Sequence, residues 1–376
     1  MQRLGFLDGL RGFAAFYVLL FHMALLPVSK PPLSDWWQGV VMFGGSGVTL
    51  FFVVSAFSLC LTMGRHVGTG STYLSYGISR FFRIAPLFWF LMAATYVIHV
   101  LAFGVWHGPA AVLTSLTFVF NLIPGQEQGY VWASWTIGVE MLFYLVFPYL
   151  YFRQGTPARQ VATLCVALAA SILFKGVTAG FVPEPPRTSF ETFSIFRHLP
   201  SFVIGMLAYS AYASPLLAGP RRDYAGALIA LGLLVLVGIA SGRLTGGLVD
   251  TTHLIAAGYA LVLLGVSAVE FRPLDNRVTR FMGQISYSIY LWHAPVVWFM
   301  SPVYAWFTAL PLPSSLRFAL CLAATLGAVL PLAWASYRLV ELPGIAWGRR
   351  VFRRFAPLGQ AIDRGAGQAR RAAAAS

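Results

Sequence analysis

Long apolar stretches separated by short polar or basic loops make up the chain from its start to about residue 340. A helix needs about 20 mostly apolar residues to cross a bilayer, and helices satisfy their own backbone hydrogen bonds in lipid. The pattern therefore predicts an all-α fold, a polytopic transmembrane helical bundle of about ten spans. We place the spans near residues 9–28, 40–62, 80–103, 132–152, 160–177, 196–213, 224–240, 252–271, 282–307 and 316–340.

The segments between and after these spans give the domain organisation. Residues 110–122 are apolar but too short to cross, so we interpret them as a re-entrant or interfacial piece. The surrounding loop 104–131 and the Pro-rich loop 178–195 are predicted to face outside. We predict one transmembrane domain over residues 1–345 and a basic, disordered cytoplasmic tail over residues 346–376.

Composition and charge agree with a membrane protein, since 58% of the residues are hydrophobic and only 10% are charged. Soluble domains carry about a quarter charged residues. The net charge of +14 could indicate a nucleic-acid partner, but no basic stripe falls on a soluble element. Arginines concentrate in alternate loops, and the other loops hold only Lys30, Arg187 and Arg243. The positive-inside rule then places both termini in the cytoplasm.

The first span carries two ionisable residues, Arg11 and His22, on one helix face. Eleven steps of about 100° end about 20° past three full turns and separate the pair by about 16 Å along the axis. Asp8 lies three residues before Arg11 and can pair with it. Alone, Arg11 would be interpreted as a snorkelling arginine and His22 as a buried histidine. An aligned pair of this kind in lipid indicates function.

Further ionisable residues lie in or near later spans. Arg80 and Arg83 share a face at the cytoplasmic start of the third span and, with Arg11, could clamp a phosphorylated ligand. The alternative is that these arginines only set topology. Glu140 is predicted at a depth similar to that of His22, so the two could form a catalytic dyad.

A polar stripe of Ser286, Tyr290 and His293 recurs at helical spacing and could line a substrate path. Hydrogen bonding between helices is an equally good explanation. Glu341, at the end of the last span, could pair with Arg338. The three cysteines fall in apolar spans without the spacing of metal ligands, so we predict no metal.

Several segments resemble, in order, the landmarks of the acyltransferase 3 family of membrane O-acyltransferases. The opening LDGLRGFAAFYVLLFH is similar to the family's Arg-x10-His signature, and SRFFRIAP to its paired-arginine entrance to the third span. The other matching segments are GVTLFFVVSAFSL, WTIGVEMLFYLVFP, FRHLPSFVIGML, SYSIYLWH and SYRLVELP. The chain departs from the family at Thr49 and Ala56, where Asp and Gly are frequent.

The resemblance implies transfer of an acyl group, most often acetyl, from cytoplasmic acyl-CoA to a hydroxyl of a carbohydrate or glycoside. The acceptor would be a cell-surface polysaccharide or its lipid-linked precursor, and the location the bacterial cytoplasmic (inner) membrane. Arg11 and His22 would be essential, with Arg80 and Arg83 next. These arginines would bind acetyl-CoA or another acyl-CoA.

Two mechanisms and a second function class remain open at this point. His22 could accept the proton of the acceptor hydroxyl, oriented by Glu140, or carry the acyl group itself as a transient acyl-histidine. The alternative function is a polytopic transporter or flippase for a glycan or lipid-linked sugar. That class predicts duplicated halves and paired broken helices, and the sequence contains no clear sign of either.

Overall fold

The computed structural model describes residues 4–67, 71–214, 222–247, 249–269 and 271–354. These residues form helices joined by turns and loops, without a β-strand among them. The last helix continues through a π-helical turn, Tyr337–Glu341, to residue 354. The helices are α1 (Gly5–Leu25), α2 (Asp35–Met42), α3 (Gly47–Met63), α4 (Thr72–Phe103), α5 (Pro109–Leu116), α6 (Trp135–Arg153), α7 (Pro157–Phe181), α8 (Pro186–Phe193), α9 (Ile195–Ala213), α10 (Arg222–Ala240), α11 (Thr251–Ser267), α12 (Arg277–Gln284), α13 (Ser286–Phe299), α14 (Ser301–Thr308) and α15 (Ser314–Ser336).

Six helical segments within the described ranges are long and apolar enough to cross a membrane. Two shorter apolar helices, Tyr224–Ala240 and Thr251–Ser267, add to them. The all-α fold is thus confirmed, while the count of ten spans and the cytoplasmic position of both termini stay predictions. The six segments are Gly5–Leu25, Trp37–Met63, Thr72–Phe103, Trp135–Arg153, Pro157–Phe181 and Ser314–Arg354.

The structure differs from the sequence prediction in three segments. The predicted span 282–307 is divided into α12, α13 and α14. A capping box at Asn276 starts α12 before the predicted span, and Pro302 lies in the first turn of α14, where proline is tolerated. The loop 178–195 holds the end of α7 and all of α8, whose first residue is Pro186. Residues 346–354 of the predicted tail are helical, and the rest of the tail lies outside the described residues.

Two glycines allow neighbouring helices to pack closely around the site. A Cβ atom on Gly205 of α9 would lie 2.4 Å from the backbone oxygen of Val53 in α3. A Cβ atom on Gly283 would lie 2.0 Å from the backbone oxygen of Asp8, where α12 packs on α1. Side chains at these positions would push the helices apart. Helix α1 also packs on α3 and α13, so it lies next to the elements that carry most of the candidate site residues.

Asp250 joins three helices at the start of α11. Its carboxylate accepts a hydrogen bond from the backbone N–H of Thr252 (2.9 Å) and contacts Arg197 of α9 (3.0 Å) and Lys175 of α7 (3.1 Å). Burial alone would raise the pKa of Asp250, but the Arg197 guanidinium and the Thr252 N–H hold it well below its usual range. Ionised Asp250 therefore stabilises the fold above its unfolded pKa of about 4, and this contribution is lost as the pH falls.

We expect Asp250→Asn to lower the thermal unfolding midpoint at pH 7 by about 2–4 °C, which corresponds to about 1 kcal/mol in a large domain. Asparagine keeps the helix cap and removes only the charge. Unfolding of the detergent-solubilised protein, followed by tryptophan fluorescence at pH 7 and pH 3, measures the effect. Glu184→Gln, which breaks an exposed pair with Arg187, serves as the control and should change little. Equal midpoints for Asp250→Asn and wild type at pH 7 would refute this role.

Candidate active site

A cavity enclosing about 720 Å³ of empty space, open water included, lies between α1, α3, α4, α6 and α13. It brings together residues that the sequence analysis selected on four different helices. Serine, threonine and tyrosine side chains complete its polar lining. The selected residues that line it are Arg11, Arg80, Arg83, Glu140, Ser286 and Tyr290.

The three guanidinium groups in this cavity keep most of their donors available. Arg11 Nη1 lies 3.8 Å from Asp8 Oδ1, as predicted, and Arg83 Nη1 lies 3.8 Å from Glu341 Oε1. Arg80 has no carboxylate within ion-pair distance among the described residues, and its buried Nε has no hydrogen-bond partner there. Each guanidinium has five N–H donors, so the three together can bind an anion such as a phosphate.

Glu341 was expected beside Arg338, but it pairs with Arg83. The guanidinium carbon of Arg338 instead lies 5.8 Å from the centroid of the Trp334 ring. The carboxylate of Glu341 is fully buried and also accepts a hydrogen bond from Ser288 Oγ (3.2 Å). Glu341 thus helps to hold Arg83 in place at the cavity wall.

Glu140 faces the cavity, but it does not contact His22. Its carboxylate accepts hydrogen bonds from Ser55 Oγ (2.6 Å) and from the hydroxyl of Tyr144 one turn along α6. His22 faces α13, where its ring contacts His293. The predicted contact of the two side chains is therefore not formed in this structure.

His22 pairs with His293 instead. His293 Nε2 lies 3.1 Å from His22 Nδ1, and the ring centroids are 4.7 Å apart. His22 Nδ1 also lies 2.9 Å from the carbonyl of Val18, and His293 Nδ1 contacts the carbonyl of Tyr290. A carbonyl only accepts hydrogen bonds, so both Nδ1 atoms carry the proton. This arrangement leaves Nε2 of His22 with a lone pair that can accept a proton.

Tyr290 borders both the cavity and the histidine pair. Its side chain lines the cavity, and its ring centroid lies 5.2 Å from that of His293. Its hydroxyl accepts from Thr136 Oγ1 (2.8 Å) and donates to the carbonyl of Ala133 (3.2 Å). His22 and His293 are not among the lining residues, so the polar stripe of α13 begins in the cavity and ends just beyond it.

Sequence reasoning missed several cavity residues, among them Tyr144 and Tyr287. The position of Tyr144 four residues after Glu140 on a helix was an available signal for a shared face. Tyr287 donates to the carbonyl of Ile84 (2.8 Å), a contact between distant segments that no local pattern reveals. In the described part of the chain, His, Cys, Asp and Glu side chains form no group of three suited to a metal ion. The absence of a metal stays a prediction.

Comparison with known proteins gives the family. A sequence profile described as an acyltransferase domain matches residues 4–334. The chain is similar to the exopolysaccharide production protein ExoZ of Rhizobium meliloti (strain 1021), with 26% identity over 314 residues, which cover 81% of this chain and 91% of ExoZ. It is also similar to nodulation protein 10 of Rhizobium leguminosarum bv. viciae, with 25% identity over 318 residues, covering 77% of this chain and 82% of that protein. No solved structure matches significantly. The chain therefore belongs to the acyltransferase 3 family, and it is an O-acyltransferase.

Proposed function

We propose that the protein moves an acyl group, most often acetyl, from cytoplasmic acyl-CoA to a hydroxyl of a carbohydrate or glycoside. The acceptor would be a cell-surface polysaccharide or its lipid-linked precursor, and the site of action the bacterial inner membrane. One observation carries the proposal: three guanidinium groups with free donors line a single cavity that ends beside a histidine pair. The name of ExoZ, which refers to exopolysaccharide production, supports this acceptor class.

The donor end of the cavity suits the phosphates of acyl-CoA. Arg11, Arg80 and Arg83 would bind these phosphates through charge-assisted hydrogen bonds. From Tyr144 to Thr136, both in the cavity lining, α6 rises by about 12 Å. The extended pantetheine arm could follow this direction. The thioester would then lie at the end of the cavity that Tyr290 borders.

In the chemical step, the acceptor hydroxyl oxygen attacks the thioester carbonyl and the carbon–sulfur bond breaks. The hydroxyl proton passes to Nε2 of His22 and then to the departing CoA sulfur, so the products are an ester and CoA. His22 does not line the cavity, and the step therefore requires the Tyr290 side chain to shift when donor and acceptor are bound. A general base of this kind contributes about 10²–10⁴-fold to the rate.

The role of Glu140 changes in this proposal. The predicted orientation of the His22 ring by Glu140 has no support from their positions. The Val18 carbonyl and His293 take over that task. We propose that Glu140 balances the charge of the three arginines from the opposite wall of the cavity.

The function is tested by mass spectrometry of surface glycans and lipid-linked sugars from cells with and without the gene. We expect species that differ by the mass of one acetyl group to disappear with the gene and to return with the wild-type copy. Identical spectra, together with no transfer of label from radioactive acetyl-CoA by the purified protein, would contradict the proposal. Movement of a sugar across liposomes without acyl-CoA would favour the transporter alternative.

A further inference from the structure

A second cavity, which we call the aromatic cleft, lies between the end of α4 and residues 107–132. It encloses about 830 Å³ of empty space, open water included. Aromatic and amide side chains dominate its wall. Those used below are His99, His107, Gln126, Tyr130 and Trp132. The chemistry proposed above uses none of them.

The aromatic cleft and the guanidinium cavity lie at opposite ends of α4. Arg83 lines the guanidinium cavity and His99 the cleft, and sixteen residues of continuous helix span about 24 Å between them. This rise is close to the thickness of the hydrocarbon core, which is about 30 Å. A molecule in the cleft would therefore approach from the membrane face opposite the one used by the acyl donor.

The side chains in the cleft match the two kinds of surface on a sugar ring. His107 stacks on Tyr130 with centroids 4.2 Å apart, and His99 Nδ1 lies 2.7 Å from His107 Nε2. The stack covers one face of the His107 ring and one face of the Tyr130 ring, and Trp132 lines the same cleft. Flat aromatic faces suit the C–H face of a pyranose. Gln126 Oε1 accepts from Thr114 Oγ1 (2.9 Å), so its amide N–H groups remain available for a hydroxyl.

The loop that forms the cleft is irregular but is held in place before any ligand binds. Glu127 accepts from the backbone N–H of Gly125 (2.6 Å) and from Ser189 Oγ (2.5 Å). Asn121 donates to the carbonyl of Phe193 (2.7 Å) and accepts from the N–H of Ile195 (3.1 Å). A loop fixed in this way loses little conformational freedom on binding, which favours affinity.

The cleft and the guanidinium cavity share a wall. Trp132 lines the cleft, and the carbonyl of the next residue, Ala133, accepts from the hydroxyl of Tyr290 in the cavity. Ala133 has φ 60°, a left-handed conformation that is uncommon for a residue with a Cβ atom. Such strained positions concentrate at functional sites, and here the strained turn joins the two cavities.

We propose that the aromatic cleft binds a sugar ring of the acceptor, on the membrane face opposite the acyl donor. The occupant is a neutral or weakly charged hexose unit that stacks on Trp132 and Tyr130 and hydrogen-bonds to Gln126. The catalytic purpose of this binding rests on the proposed function. The binding itself does not, and it is measured without acyl-CoA.

The test uses the full chain in nanodiscs and, as probe, deacetylated oligosaccharides released from the envelope of the cells that make the protein. Saturation-transfer NMR reports on the sugar C–H protons. We expect Trp132→Ala to raise the half-saturating concentration by up to about tenfold, because stacking on an aromatic ring has an effect of this order. Gln126→Ala should raise it by about threefold through the loss of one neutral hydrogen bond. Trp306→Ala is the matched control, because Trp306 is 63% exposed and lies outside the cleft.

A thermal unfolding transition like that of wild type shows that each variant is folded. Acetyl-CoA binding, measured separately, distinguishes this proposal from the previous one. If wild type binds the sugar but does not bind acetyl-CoA, the proposed donor is refuted and the cleft assignment stands. No saturation transfer in wild type would overturn the cleft assignment. Equal half-saturation for folded Trp132→Ala, Gln126→Ala and Trp306→Ala would also overturn it.

Discussion

Replacing His22 with alanine is expected to lower the turnover number of acetyl transfer by about 10²–10⁴-fold, the contribution of a general base. The half-saturating concentration of acetyl-CoA should hardly change. The reason is that His22 lies about 16 Å along α1 from Arg11, at the end of the helix away from the proposed site of the donor phosphates. Steady-state kinetics with purified protein in nanodiscs separate the two parameters. Full activity of His22→Ala would refute both the base and the acyl-histidine mechanism.

His293→Ala gives a finer test of the same site. The Val18 carbonyl still holds the proton on Nδ1 of His22 in this variant, so Nε2 of His22 remains basic. We expect a loss smaller than that of His22→Ala, with the affinity for acetyl-CoA unchanged. A labelled acyl group trapped on His22 in the absence of acceptor would favour the relay. Its absence under conditions of rapid transfer would favour direct attack.

Helical periodicity predicted which residues share one face of a helix. It could not predict which helix faces pack against each other. Arg11 and Arg83 were predicted from sequence to lie near one another as part of a phosphate clamp, and both line the cavity. Glu140 and His22 were placed at one depth, yet Glu140 bonds to Ser55 while His22 turns to His293. Depth follows from counting residues along a helix. The rotation of one helix against another depends on packing, such as the contact of Gly205 with α3, which is not local in sequence.

The stripe on α13 shows the same limit within one helix. Seven steps from Ser286 to His293 end about 20° short of two turns, and for this reason the sequence places both side chains on one helix face. The steps also move His293 about 10 Å along the axis, past the end of the cavity that Tyr290 borders. The division of the predicted span 282–307 has a different origin. Hydropathy reports composition alone, whereas α12 begins at the cap formed by Asn276 and α14 begins beside Pro302.

Arg80→Gln is expected to raise the half-saturating concentration of acetyl-CoA by about 10–100-fold, because a hydrogen bond to a charged group contributes about 1.5–3 kcal/mol. Arg80 is the cleanest of the three arginines to replace. It has no carboxylate within ion-pair distance among the described residues, whereas removal of Arg83 would leave the buried Glu341 without its ion-pair partner Arg83. Arg80→Lys keeps the charge and loses the planar fork, so it should fall between wild type and Arg80→Gln. Isothermal titration of the purified variants measures the affinities.

A ligand without phosphates tests whether Arg80 binds the phosphates of acetyl-CoA. S-acetyl-pantetheine carries the thioester and the arm but no phosphate, so wild type and Arg80→Gln should bind it equally weakly. The affinity of wild type for acetyl-CoA should also fall more steeply with salt than that of Arg80→Gln, because screening acts on the phosphate contact. Arg338→Gln is the control, since Arg338 lies over Trp334 at the end of α15 and does not line the cavity. If Arg80→Gln loses affinity for both ligands by the same factor, Arg80 shapes the cavity and does not bind phosphate.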